Sequence, residues 1–252
     1  MKEPTEEEKA FCRHLQEQCN RFREPQNVIG KGYLRYFQDQ SACLRVDIPP
    51  RLRDAIDKWA PLVRRYRFID DLQNDDAGPD REDHVADGKI AEIAAYAMLP
   101  HVSMGVEYEI MGVDIDFDLY APNECRFGPD IGKHIHVKAY RDCSSCPVSF
   151  LIHRNDPVYK CEDGEFTSLD IVIFTLLFTK RQVKILGFSS VQDLKGLAQP
   201  TKTKAAGSRK DCWYMYEEHD EKRNIHTPGI EHLVRPILLL PEYVAAVKAN
   251  GR

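Results

Sequence analysis

Apolar positions recur with two different periods along this chain. Over residues 5–24, Ala10, Phe11, Leu15, Cys19 and Phe22 fall at helical intervals between charged faces, which predicts an amphipathic helix ended by Pro25. After Pro49-Pro50, the positions Leu52, Ile56, Trp59, Leu62 and Val63 predict a second helix, with Arg51, Arg53, Lys58, Arg64, Arg65 and Arg67 on its polar side. From Gly88 to Leu99 the chain is rich in helix formers, and Ile90, Ile93, Ala94, Ala97 and Met98 form an apolar stripe closed by Pro100. Lys89, Glu92 and Tyr96 share a different face. The period then drops to two over Val106–Ile110, Val113–Leu119 and Ile135–Tyr140, and further strands are expected at Val148–His153, Ile171–Phe178, Val183–Phe188 and Cys212–Glu217. A helix followed by a meander and more strands implies a mixed α/β sheet flanked by helices rather than a doubly wound parallel one.

Charge divides the chain further. Residues 70–87 hold eight acids against a single arginine, with Gly78-Pro79 among them, and read as a solvated linker. The expected organisation is a helical N-terminal region over 1–75, an acidic linker over 76–87 and an α/β core over 88–252. A length of 252 residues suffices for a sizeable core, and 42% hydrophobic residues place the chain outside the disordered class. The longest apolar run, Leu169–Phe178, is too short to cross a bilayer, and the polar, acid-rich N-terminus lacks the apolar stretch of a signal peptide. An intracellular, cytoplasmic protein with no membrane partner is therefore expected, its eight cysteines reduced.

The arrangement with the most chemistry is a helical Glu92, a strand bearing Asp114, Asp116 and Asp118 on one face, and a strand reading Ile135-His136-Val137-Lys138. Carboxylates from a sheet face beside a helix carboxylate suit a hard divalent cation, and a lysine on the neighbouring strand can polarise water or offset charge at phosphorus. Alternating aspartates equally suit the solvent face of a sheet, and Lys89 with Glu92 equally suits an exposed helical pair. The ordered combination resembles the PD-(D/E)XK nuclease superfamily, the restriction-endonuclease-like fold, over approximately residues 85–240. In that family a helix acid precedes a β-meander whose second strand gives a metal-binding Asp and whose third gives an acid-x-Lys pair. The resemblance implies that Glu92, Asp116, His136 and Lys138 are catalytic, that Glu92, Asp116, Asp118 and His136 hold Mg²⁺ or Mn²⁺, and that DNA phosphodiesters are hydrolysed. His136 departs from the pattern, since the family usually has Glu, Asp or Gln there. Three readings follow: imidazole ligates metal itself and favours Mn²⁺, the extra aspartates substitute, or the site is silent on a fold that still binds nucleic acid.

Two further groups stand out. Cys125, Cys143, Cys146 and Cys161, with His134 or His153, have the ligand types of a structural Zn²⁺ site, although only one pair is spaced as CxxC and scattered thiols fit the spacing as well. Lys202, Lys204, Arg209 and Lys210 form a basic segment without acids, and with Arg64 and Arg65 they offer a surface for a phosphate backbone against an overall charge of −5. No phosphate-binding Gly-rich loop, HExxH or GxSxG is present, which leaves nucleotide-fuelled, zincin and hydrolase-elbow chemistry without support. The expected function is thus a divalent-metal-dependent deoxyribonuclease. The alternative is a catalytically inactive nucleic-acid-binding or assembly protein on the same fold; homo-oligomer formation is left open.

Overall fold

The computed structural model describes residues 3–26, 44–67, 80–99, 102–106, 110–111, 118–119, 135–141, 149–153, 170–191, 193–194, 200–201, 212–216, 234–240, 242, 245–246 and 249. Helix α1 (Glu6–Gln26) begins with a reciprocal cap: the Thr5 amide donates to Glu8 Oε2 at 2.8 Å and the Glu8 amide donates to Thr5 Oγ1 at 3.2 Å. Its buried positions Cys12, Leu15 and Cys19 lie on the face that the sequence periodicity indicates, and the helix closes one residue past Pro25. Helix α2 (Pro50–Arg67) starts on a proline, whose missing N–H costs nothing at a first helical position, and buries Leu52, Ile56, Trp59 and Val63.

Helix α3 (Asp80–Met98) starts seven residues before the expected end of the acidic linker. Acids suit a helix N-terminus, where the unpaired amides carry partial positive charge, so a run that reads as solvated chain is helical from residue 80. From Ile90 to Met98 almost every residue of α3 is buried, the mark of a helix covered on several sides. It packs against α1, α2 and the sheet. Arg23 of α1 caps its far end, donating from both terminal nitrogens to the Leu99 and Val102 carbonyls at 2.8 Å, and its guanidinium stacks on Tyr96.

The main sheet is mixed and has the order β1-β5-β4-β2. It comprises β1 (Leu44–Asp47), β2 (Ile135–Arg141), β4 (Ile171–Leu177) and β5 (Gln182–Ser190). β2 and β4 run parallel, whereas β4–β5 and β5–β1 are antiparallel. A second antiparallel sheet has the order β3-β7-β6, formed by Ser149–His153, Cys212–Tyr216 and Pro200–Thr201. A strand from the N-terminal region therefore completes the main sheet. One hydrophobic cluster runs from Cys12 through Trp59 and Ile93 to Ile185 and Leu240, so the boundary expected at 76–87 separates no two cores.

The sheet buries both faces. Ile135, Val137, Ile171, Ile173, Val183 and Ile185 join the cluster shared with the helices, and pleating then turns His136, Lys138, Val172, Phe174 and Ser189 to the far face. Gly187 lies where β5 meets the Phe188–Arg235 bridge; a Cβ there would press on the Arg235 carbonyl and come within 2.6 Å of Val234 Cγ1. Of the expected strand over Val106–Ile110, the two end residues are described, and both are helical and buried; 107–109 lie outside the described residues. Among the described residues, no helix is long and apolar enough to cross a membrane.

Candidate functional site

β2 begins beside the one described piece of the aspartate-bearing segment. Leu119 and Ile135 exchange backbone hydrogen bonds of 3.0 and 3.1 Å in an antiparallel bridge, which sets Asp118 opposite His136. The Asp118 side chain turns onto β2, where its Oδ2 accepts the Val137 amide at 2.6 Å. This amide lies on the edge of β2 away from β4, so the carboxylate stands in for a strand partner and is held beside the His136–Lys138 segment. His136 is buried, Lys138 half-buried, and the Lys138 carbonyl accepts Thr175 Oγ1 at 3.2 Å.

Cross-strand register extends the site across the sheet. His136 pairs with Val172, which pairs with Ser189; Lys138 pairs with Phe174, which pairs with Gly187. The fully buried Ser189 Oγ has no hydrogen-bond partner among the described residues. Only the strand register brings this serine into line with His136.

Glu92 lies elsewhere. It forms an ion pair with Lys89 one turn back on α3, and Lys89 sits over the Trp59 ring of α2 at 5.0 Å from its centroid. Both charges act on the Cys19 thiol of α1, which burial pushes up to about 12. The neighbouring Tyr96 donates to Asn20 of α1 at 2.7 Å. Glu92 thus stands in the helical layer, among side chains of α1, α2 and α3. Lys89–Glu92 is not an exposed pair: the two side chains retain 2% and 12% exposure. Asp114 and Asp116 lie outside the described residues.

A second charged group was concealed by the composition. Asp87 accepts Arg53 Nη1 at 3.2 Å through one oxygen and Arg141 Nε at 2.7 Å through the other, and Arg53 also holds Asp57 and the Lys180 carbonyl. Three elements, α2, α3 and the end of β2, are tied by a carboxylate that reads as part of a solvated acid run. The basic face of α2 is correspondingly altered. Arg53 is buried, Arg64 is half-buried, and Arg65, exposed, pairs with Glu8 at 2.8 Å.

Among the described residues, no three His, Cys, Asp or Glu side chains are grouped to hold a metal ion. Asp118 and His136 supply two donors of suitable type on adjacent segments. Cys125, Cys143, Cys146, Cys161 and His134 lie outside the described residues, as do Lys202, Lys204, Arg209 and Lys210, and of His153 only the backbone, in β3, is described. No family model matches the chain, and neither a curated protein nor a solved structure matches it.

Proposed function

We propose that the chain is a divalent-metal-dependent nuclease acting on DNA, with a site on the far face of the sheet at the start of β2 and a core of the restriction-endonuclease-like kind. The observation that carries this reading is the Asp118 carboxylate fastened to the Val137 amide. It sets an acid of the preceding segment beside an x-Val-Lys strand, the juxtaposition that the PD-(D/E)XK resemblance requires. In this reading Asp118 and His136, with Asp116, would hold Mn²⁺ or Mg²⁺. When bound, such an ion polarises a phosphoryl oxygen and acidifies water. Imidazole favours the softer Mn²⁺.

Lys138 supplies a positive charge where negative charge develops on phosphorus, and its position two residues from His136 on one strand keeps both on the same face. Burial of His136, Val172 and Ser189 excludes water from one end of the row and strengthens that electrostatic interaction. Glu92, held by Lys89, takes a structural role.

The test is a cleavage screen on single- and double-stranded DNA and on RNA, with Mn²⁺, Mg²⁺ or EDTA. Expected are metal-dependent DNA products, more with Mn²⁺, and their loss in Asp118→Ala with the fold preserved. Absence of products from every substrate would remove the enzyme reading and leave a silent nucleic-acid-binding protein.

A further inference from the structure

The far face of the sheet carries more than the candidate site. Two residues along from the Lys138 row, Tyr140 of β2, Leu176 of β4, Lys184 of β5 and Arg45 of β1 form one cross-strand row. Arg45 and Lys184 are direct antiparallel partners, an arrangement of like charges that costs stability. Neither side chain has an ion pair among the described residues. The Arg45 guanidinium instead covers the ring of Phe178, 5.5 Å from its centroid, and that ring is 38% exposed.

Phe178 opens the β4–β5 turn, which adds exposed Lys180 and Arg181. The turn is well braced: Thr179 Oγ1 accepts the Arg181 and Gln182 amides at 3.3 and 3.1 Å, Phe178 N donates to Gln182 O, and Ile48 N donates to Arg181 O. The opposing carboxylates are Asp47, next on the same face of β1, and Asp83, 3.9 Å from Lys180. Arg45, Lys184 and the exposed Phe178 ring thus share one end of the far face, beside exposed Arg181 of the braced turn, while Lys180 reaches toward Asp83 of α3.

We infer that Arg45, Phe178, Arg181 and Lys184 bind a single strand of nucleic acid, the cations on its phosphates and Phe178 against a base. Cations beside an exposed ring suit single strands, because every unpaired base offers a stacking face. The patch spans strands β1 and β5 and the turn joining β4 to β5, enough to meet a few nucleotides. An unbalanced like-charge pair held across two strands is relieved when a polyanion binds. The inference stands apart from the nuclease reading, and binding is measured separately from cleavage.

Binding is measured in EDTA by fluorescence anisotropy, with a labelled 12-nucleotide single strand, a duplex of equal length and phosphatidylserine vesicles as probes. Arg45→Gln/Lys184→Gln is expected to weaken single-strand binding at least tenfold and to lower the salt slope by about 1.4, two phosphate contacts at about 0.7 each. Phe178→Ala should weaken single-strand binding about tenfold while sparing the duplex. An unchanged melting temperature, or a raised one, in the double variant shows that the loss is not unfolding. Unaltered affinity and salt slope in the double variant would overturn the inference, as would vesicle binding at equal affinity lost in the same variants. Metal-dependent cleavage with wild-type strand affinity in the variants would sink this surface and leave the nuclease reading standing. Lost affinity in a protein that cleaves nothing would do the reverse.

Discussion

Single residues carry charge into places where composition would not put it. Asp87 stands in an acid-rich run yet is buried between Arg53 and Arg141, two arginines that share nothing local with it in sequence. Removing it leaves the buried Arg53 guanidinium, among the described residues, with only the more exposed Asp57 as carboxylate partner, and Asp87→Ala is expected to destabilise the protein by about 3 kcal/mol, measured by urea denaturation. Glu8 gives a pH signature. The Tyr66 hydroxyl, and next the Thr5 amide, hold its carboxyl below the ordinary value of 4.5. A lowered folded value means that the stabilisation is complete above that ordinary value and is lost as pH falls through the folded one. Glu8→Gln should therefore flatten the decline of melting temperature below about pH 4.5, and an unchanged acid limb would contradict this. Neither Asp87 nor Glu8 was legible in the sequence, because their partners come from other elements. His136 and Lys138 were legible, since their alternation with Ile135 and Val137 put them on one face.

At the scale of elements, periodicity served where a face meets one environment. α1, α2 and strands β2, β4 and β5 lie where their patterns indicate. It misled at 80–87, where a helix start resembled a charged linker. β1 is four residues long, too short for its period to stand out, and only its pairing with β5 defines it. The longer α3 has its own consequence. Gly88 is internal to the helix rather than at its start, and a Cβ built there meets nothing within 4 Å. Gly88→Ala should raise stability by about 0.5–1 kcal/mol, read as a higher denaturation midpoint, because alanine loses less backbone entropy. No gain would mean that the helix does not extend back to Asp80.

For the whole molecule, the α/β class was legible. The helices α1 and α2 share a core with the sheet, and β1 is its edge strand, so the N-terminal residues are part of the same folding unit. The candidate site was legible as a set of residue types but not as a geometry: strand register sets Asp118 beside the His136–Lys138 segment, whereas Glu92 stands in the helical layer paired with Lys89. The account then rests on one residue more than any other. Lys138 is half-buried on a strand braced by β4, and its ammonium group is the one assigned to charge at phosphorus. The decisive measurement is the Mn²⁺-dependent cleavage rate of a DNA substrate by wild-type protein and Lys138→Ala, with melting temperatures recorded in parallel. The account predicts a fall of at least a hundredfold, about 2.7 kcal/mol of transition-state stabilisation, at an unchanged melting temperature. Equal rates for the two proteins would contradict it.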